Sequence, residues 1–216
     1  MENKFLNYLV NDRKLSQDTI QAFELGWYDG NTEYAYYESN NADLSKVKLD
    51  FRFVDSILFP IYDLHYNLVG VSARPLVKKG MKYVNTIYSK GGNLYGLWKN
   101  WESILEEGKV FVVEGNFDML SLWDRGIKNV VALLGSALTF EQVCLLVRFT
   151  DTIVMVGDGD KAGSTLNGKS KDLCIKNRVK CSVISLPEGI DPDNFIKNND
   201  KRKFLDLIEK DILLCI

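Results

Sequence analysis

The sequence has 216 residues, 46% of them hydrophobic and 26% charged, and a formal net charge of −2. A chain of this size and composition can bury a substantial core. It contains no run of about 18 apolar residues that would cross a membrane and no apolar signal segment near its start, so we expect a globular cytoplasmic protein with no membrane partner. Its four cysteines, Cys144, Cys174, Cys181 and Cys215, form no C-x-x-C pair and His65 is its only histidine, so their spacing predicts no zinc site.

The N-terminal part of the chain changes its pattern near residue 27. Residues 5–10 and 20–25 carry two short amphipathic patterns, which predict a small pair of helices with Gly26 as the terminator of the second. Residues 27–95 contain short apolar runs typical of β-strands, and residues 63–67 predict the turn of a hairpin. We therefore expect an α+β subdomain.

The basic residues are concentrated in one stretch, although the net charge is slightly negative. From residue 74 to residue 99 there are six basic residues and no acidic one, with tyrosine and tryptophan between them. Cationic side chains interleaved with aromatic rings are typical of surfaces that bind single-stranded nucleic acid. A solvated strand-and-loop surface has the same composition, so both interpretations stay open at this point.

After Lys109 the sequence alternates apolar strands with amphipathic helices, which is typical of an α/β fold with a mainly parallel sheet. Thr139 and Gln142 have the spacing of a capping box, Gly126 can end the first of these helices, and Asp191-Pro192 can begin the last. The predicted strands are Val110–Val113, Val130–Leu133, Ile153–Val156 and Ser182–Leu186, and the helices that follow them are Phe117–Trp123, Phe140–Phe149, Ala162–Ile175 and Asn194–Ile196.

Acidic residues follow three of these predicted strands, each set beside a glycine. In open α/β sheets ligands bind at the carboxyl ends of the strands, so these side chains should meet at one edge. Crowded carboxylates repel one another unless a cation neutralises them, and Mg²⁺ prefers such oxygen ligands. Taken singly, each set is also what a turn, a loop or a helix cap would contain; together they predict phosphoryl-transfer chemistry. The sets are Glu114 with Asp118, Asp158 with Asp160, and Asp191 with Asp193.

Segments throughout the chain resemble one known family, the bacterial DnaG-type primases with their Toprim domain. The resemblance is carried in the C-terminal part by residues 112–118 (VVEGNFD), 131–139 (VALLGSALT), 158–163 (DGDKAG) and 186–193 (LPEGIDPD). Upstream it continues through residues 15–26, 59–63, 70–74, 82–85 and 90–97, so that it covers roughly residues 5 to 200. Ser56 and Tyr62 depart from the pattern, because relatives often carry arginines there.

The resemblance implies a Rossmann-like Toprim domain at residues 101–216, preceded by a basic subdomain of the polymerase core at residues 1–100. It also implies template-directed synthesis of short RNA primers on single-stranded DNA from nucleoside triphosphates, with Mg²⁺ or Mn²⁺ and without zinc. The implied catalytic residues are Glu114, Asp158 and Asp160; the implied metal ligands are Glu114, Asp118, Asp158, Asp160, Asp191 and Asp193; the implied nucleotide and DNA contacts are Arg74, Lys82, Tyr83, Asn85 and Lys90.

Several alternatives remain at this stage. Glu114 is either a general acid/base or a further metal ligand. The same acidic set would also serve a Toprim nuclease, which could use the metal to activate water. A topoisomerase would need a tyrosine nucleophile on a separate domain, for which we expect too few residues here. A module that binds DNA or replication proteins without catalysis is a third class. The family's zinc-binding and helicase-binding domains have no counterpart in these residues, so we expect a replicative helicase or a separate template-recognition protein as a partner.

Overall fold

The computed structural model describes residues 4–30, 47–77, 82–157 and 161–213. For residues 161–167, 185 and 210–213 it describes the backbone only. The chain divides into two compact units, Met1–Ser89 and Lys90–Ile216, which we call the N-terminal and C-terminal units. In the described part of the chain no helix combines the length and apolar character needed to cross a membrane.

The N-terminal unit begins with the predicted helical pair. Helix α1 (Lys4–Asn7) runs into a π-helical turn at Tyr8–Asp12, and α2 spans Gln17–Ala22. The Oγ atom of Ser16 caps α2 by accepting from the Thr19 N–H at 3.2 Å. The prediction for Gly26 was wrong: the backbone turns at Glu24, which has φ +51°, and Gly26 is already the first residue of strand β1.

Four antiparallel strands follow in the order β1-β2-β3-β4: Gly26–Tyr28, Ser56–Tyr62, Leu68–Pro75 and Val84–Asn85. The predicted hairpin is confirmed between β2 and β3, where Asp63 Oδ1 accepts from the N–H groups of His65 and Asn67, both at 2.9 Å. One face of the sheet packs on an apolar cluster. Its buried members are Phe53, Leu58, Val71, Ala73 and Val84.

The C-terminal unit is a parallel α/β sheet, as predicted. Its strands are β5 (Val110–Val113), β6 (Val130–Ala132), β7 (Thr152–Gly157) and β8 (Lys180–Ser185), in the order β6-β5-β7-β8. The helices are α3 (Leu97–Glu107), α4 (Asn116–Asp124), α5 (Phe140–Leu146), α6 (Lys161–Lys176), α7 (Pro192–Asn198) and α8 (Lys201–Leu213).

Local sequence signals fix the ends of several of these helices. The capping box of Thr139 and Gln142 is present at the start of α5. Asp191 caps α7 and Pro192 is its first residue, as predicted. Helix α4 ends at Asp124, and Gly126 follows with φ +86°, the left-handed conformation that glycine adopts without strain. Helices α3 and α8 were not predicted.

Candidate functional site

Four of the six predicted acidic residues are described by the structure, and they lie just after β5 or at the starts of α4 and α7 in the C-terminal unit. Glu114 directly follows β5, and Asp118 lies in the first turn of α4. Asp191 and Asp193 lie at the start of α7, downstream of β8. Asp158 and Asp160 follow β7 in the sequence but lie outside the described residues.

The carboxylate of Asp118 folds back over the main chain of Gly115. A Cβ atom at position 115 would collide with Asp118 Oδ2. The backbone of Gly115 is extended, with φ −109°, so its conformation alone does not require glycine. What the glycine provides here is room for a carboxylate next to the strand end. The other oxygen of Asp118, Oδ1, accepts from the main-chain N–H of Asp193 at 3.1 Å, which joins α4 to α7.

Asp193 is the most deeply buried member of the set, with 3% of its surface exposed. Its carboxylate pairs with the ammonium group of Lys197 on the next helical turn, at 2.7 Å and 2.8 Å to its two oxygens, and also accepts a hydrogen bond from the Ser121 hydroxyl. The side chain of Lys197 is only 10% exposed. A buried carboxylate in this position is therefore already neutralised by a protein cation.

The carboxylate oxygen atoms on this edge are of the kind that a hard divalent cation such as Mg²⁺ prefers as ligands. Glu114 Oε1 is shielded from solvent, and the space above Gly115 holds the Asp118 carboxylate. Asp191 Oδ1 accepts from the Asn194 N–H at 2.7 Å, so one of its oxygens caps α7. Among the residues that the structure describes, no group of three or more His, Cys, Asp or Glu side chains is arranged to hold a metal ion by itself.

The predicted nucleic-acid contacts in the N-terminal unit gather on and beside β3 and β4. The guanidinium of Arg74 lies over the ring of Tyr83, 5.2 Å from its centroid. Phe59 packs against the same ring with a centroid distance of 6.1 Å. The adjacent Lys82 is exposed. A planar cation on an aromatic ring beside an exposed lysine suits the phosphates and bases of a nucleic acid.

Asn85 is held in place by a tyrosine that the sequence did not single out. The Tyr88 hydroxyl contacts Asn85 Oδ1 at 2.7 Å. The Tyr88 ring lies directly on Gly70, where a Cβ atom would collide with it, and burial raises the pKa of the Tyr88 hydroxyl. The Tyr88 side chain therefore fixes the orientation of the Asn85 amide.

The two departures from the family pattern have structural roles in the N-terminal unit. Tyr62 is 3% exposed and donates a hydrogen bond to Glu24, as does Tyr66. Ser56 is fully buried, and its hydroxyl donates to the Val54 carbonyl at 3.4 Å. Both side chains therefore stabilise the packing of β2 within this unit.

The remaining predicted contact, Lys90, begins the C-terminal unit. Its side chain is exposed, whereas its main-chain carbonyl accepts from Gln142 at 3.1 Å. Sequence reasoning missed Gln142 in this role, as it missed Lys197 and Tyr88. The i,i+4 spacing of Asp193 and Lys197 was the one local signal that could have revealed any of these contacts.

A parallel sheet with the strand order β6-β5-β7-β8 and acidic residues after its strands defines a Toprim-type domain. Residues 111–196 match the family model described as Toprim-like. Residues 1–100 match the model described as the DNA primase catalytic core, N-terminal domain. The chain thus belongs to the family of DnaG-type primase catalytic cores.

Similar proteins agree with this assignment. The DNA primase of Aquifex aeolicus is 35% identical over 226 residues, which is 96% of this chain and 45% of that protein. A crystal structure of the zinc-binding and RNA polymerase domains of the Aquifex aeolicus primase matches with a TM-score of 0.83 and 32% identity, over 97% of this chain and 56% of that one. A DnaG primase catalytic domain bound to single-stranded DNA matches with a TM-score of 0.79 and 26% identity, over 96% of this chain and 71% of that one. The chain spans less than half the length of the Aquifex protein.

Proposed function

We propose that this chain is the catalytic core of a DNA primase, which synthesises short RNA primers on single-stranded DNA by metal-dependent nucleotidyl transfer. One observation carries the proposal: a Toprim-type strand edge with Glu114, Asp118 and Asp191 occurs in the same chain as a basic, aromatic β-sheet of the primase type. A relative of the same fold has been solved with single-stranded DNA bound.

In this proposal residues 101–216 supply the metal site. Mg²⁺, or Mn²⁺ in its place, would neutralise the triphosphate and favour attack of a primer 3′-hydroxyl on the α-phosphorus, with pyrophosphate as the leaving group. Glu114 serves either as an acid/base group or as a metal ligand. The residues that would hold the metals are Glu114, Asp118, Asp158, Asp160, Asp191 and Asp193.

Asp193 stands apart from the other proposed ligands, because Lys197 already neutralises it. The main-chain N–H of Asp193 orients the carboxylate of Asp118. This contact does not depend on which group the carboxylate of Asp193 binds during turnover. We therefore assign Asp193 and Lys197 the task of keeping Asp118 in place when no metal is bound, and Asp193 joins the metal ligands only where a divalent ion replaces the ammonium group.

Residues 1–100 would supply the contacts to template and incoming nucleotide. The stacked pair of Arg74 and Tyr83 offers a flat cationic surface for a base and a phosphate, and Lys82 is exposed beside it. Asn85, held by Tyr88, offers an oriented amide to a base edge or sugar. Lys90 adds a further cation for phosphate.

The proposal also includes a protein partner and a place of action. A replicative helicase or a separate template-recognition protein would raise the local concentration of template at this core, since tethering turns a bimolecular encounter into an intramolecular one. We expect this chain and its partner to act in the cytoplasm, where bacterial DNA is replicated.

The deciding experiment uses purified protein, single-stranded DNA, Mg²⁺ and labelled ribonucleotides, with parallel reactions that contain deoxyribonucleotides or a chelator. Short labelled products that disappear with the chelator support a primase. Cleavage of the DNA strand without nucleotide incorporation would assign a Toprim nuclease instead. Binding of DNA without either reaction, in the presence of added helicase, would identify a module that lacks catalysis.

A further inference from the structure

The segment 90–93 is fastened to the start of α5 by three hydrogen bonds. The amide nitrogen Nε2 of Gln142 donates to the carbonyl oxygen of Lys90 at 3.1 Å and to that of Asn93 at 2.8 Å. The hydroxyl of Thr139 donates to the Gly91 carbonyl at 2.6 Å. Gln142 is 1% exposed, so these bonds are sheltered from water.

The side chains of Thr139 and Gln142 also form the capping box of α5. In the capping box their oxygen atoms accept hydrogen bonds, whereas their O–H and NH₂ groups donate to the segment 90–93. Gln142 Oε1 accepts from the Thr139 N–H at 3.0 Å, and Thr139 Oγ1 accepts from the Gln142 N–H at 3.2 Å. A capping box needs only the acceptor oxygen at this position, which glutamate supplies as well as glutamine. The NH₂ group of Gln142 is therefore not required by the helix, and both of its hydrogen atoms go to the segment 90–93.

The far end of this segment is anchored too. Leu94 and Tyr95 are each 1% exposed. Tyr95 pairs with Ala132 of β6 through two main-chain hydrogen bonds, at 2.9 Å and 3.0 Å. At Gly91 a Cβ atom would lie 3.2 Å from Thr139 Cγ2, so the main chain runs close against α5. The exposed side chain of Lys90 therefore projects from a backbone that is held at its own carbonyl group and at the residues that follow it.

We propose that Gln142, assisted by Thr139, is a positioning residue for the contact between Lys90 and the phosphates of single-stranded nucleic acid. This inference rests on the function proposed above, in which Lys90 binds template or nucleotide. A held backbone lowers the entropy that the lysine loses on binding, because the segment is ordered before the ligand arrives. Without the two amide donors, the carbonyl groups of Lys90 and Asn93 turn towards water and the segment loses its fixed path.

Two substitutions share only the loss of the amide donors. Gln142→Glu keeps the oxygen of the capping box and adds a negative charge, whereas Gln142→Met loses that oxygen and adds no charge. We expect both variants to bind a labelled single-stranded oligonucleotide about 5-fold more weakly, as measured by fluorescence anisotropy over a range of salt concentrations. A loss in Gln142→Glu alone would reflect its charge and would overturn the proposal.

Thr150→Val is the matched control in the same unit. Its hydroxyl donates to the Gly108 carbonyl at 2.6 Å, a bond of the same kind and length as that from Thr139 to Gly91. We expect this variant to lose stability but not DNA affinity. An equal loss of affinity in Thr150→Val would mean that any loosening of the unit weakens binding, and the special role of Gln142 would be wrong.

The final comparison uses Lys90→Ala alone and combined with Gln142→Met. If Gln142 acts through Lys90, the double variant binds no more than about 2-fold more weakly than Lys90→Ala, because contacting residues couple. Additive losses would overturn the inference while leaving Lys90 as a DNA contact. If Lys90→Ala changes neither the affinity nor the salt dependence, the proposed role of Lys90 fails together with this inference, whereas the metal-site part of the proposed function is unaffected.

Discussion

The two units use acidic and basic side chains in opposite ways. In the N-terminal unit the carboxylate of Glu24 accepts hydrogen bonds from Tyr62 and Tyr66 and so holds the fold together. The guanidinium of Arg74 instead lies on an aromatic ring, and Lys82 is exposed. At these positions the acidic group is structural and the basic groups are displayed.

Several residues of the C-terminal unit show the reverse arrangement. Lys197 pairs with a buried carboxylate, and Lys128 and Lys201 donate to main-chain carbonyl groups of Trp123, near the end of α4, and of Gly126, just after it, at 2.9 Å and 2.7 Å. The carboxylates of Glu114 and Asp118 lie at the strand edge. The overall charge is close to balanced in both units, so the contrast lies in where these particular charged groups are placed and not in the net charge of either unit.

The largest effect should come from removing an acidic group at the strand edge. We expect Asp158→Ala and Asp160→Ala each to lower primer synthesis on the order of 1,000-fold or more, because a metal supplies several kcal/mol of charge stabilisation. Their melting midpoints without metal should stay equal to that of the parent or rise slightly, since one repulsive charge is gone.

Asp151→Ala is the control for this prediction. Asp151 precedes β7 and pairs with Lys180 at 2.9 Å, but both side chains are largely exposed, so we expect no change in activity and no measurable change in stability. Normal primer yield from both Asp158→Ala and Asp160→Ala would contradict the metal site.

The next effect concerns a cation that the C-terminal unit uses internally. Lys197→Met leaves the buried Asp193 carboxylate without its ammonium partner, and we expect the free energy of unfolding to fall by about 3–5 kcal/mol. Thermal unfolding measured with and without Mg²⁺ then sharpens the comparison. If the metal reaches Asp193, Mg²⁺ raises the midpoint more in the variant than in the parent.

Lys180→Met is the matched change at an exposed pair, and its midpoint should not move measurably. A Lys197→Met protein as stable as its parent would show that the pair with Asp193 has no structural role. The contrast between the two units would then fail on its C-terminal side.

A smaller effect tests the basic groups of the N-terminal unit. Arg74→Lys keeps the charge but loses the flat guanidinium over Tyr83, so we expect affinity for single-stranded DNA to fall about 5-fold, or about 1 kcal/mol. The slope of log affinity against log salt should stay the same, because the charge remains. Arg52→Lys is the control, since Arg52 is an exposed arginine of the same unit that pairs with Asp50 at 2.7 Å. Equal affinities of Arg74→Lys and the parent would remove Arg74 and Tyr83 from the binding surface.

The smallest effect concerns pH. Burial lowers the pKa of Lys128 from 10.5 to about 8 in the folded protein. The negative charge of Asp124 opposes this shift, and the positive charges of Lys99 and Lys201 increase it. Between these two values the unfolded chain binds more protons than the folded protein, so the free energy of unfolding should rise with pH across this window. Solvent screens Lys128 in part, which keeps the change small.

Lys128→Met removes this titration, and comparing it with the parent isolates the contribution of Lys128 from those of other groups. We expect the stability of the parent relative to the variant to increase from pH 7 to pH 10 in chemical unfolding experiments. Parallel curves for the two proteins would mean that Lys128 is charged at no cost in the folded state.

Local patterns predicted much of the C-terminal unit. Four apolar runs became four parallel strands, and Asp191-Pro192 began α7 as expected, because strand alternation and helix caps depend on neighbouring residues. Helices α3 and α8 were missed although α3 is amphipathic. Its N-cap, Gly96, forms no side-chain cap hydrogen bond, so the usual start signal was absent.

Contacts between distant parts of the sequence could not be predicted. Glu24 receives its hydrogen bonds from residues 38 and 42 positions away, and Gln142 reaches Lys90 across 52 positions. No periodicity encodes such distances. Glu114 directly follows β5 because that strand ends where its apolar run ends, but the pairing of Asp193 with Lys197 depended on α7 beginning at the residue where it does.

The close fit between Gly115 and Asp118 constrains how this segment can change over evolutionary time. Any larger residue at position 115 displaces the Asp118 carboxylate, although the backbone there would accept most residues. The order of substitutions therefore matters. A lineage that has already lost Asp118 can replace Gly115 freely, whereas one that replaces Gly115 first displaces the Asp118 carboxylate. If Asp118 has the role proposed for it, position 115 should change only in descendants that no longer need that carboxylate.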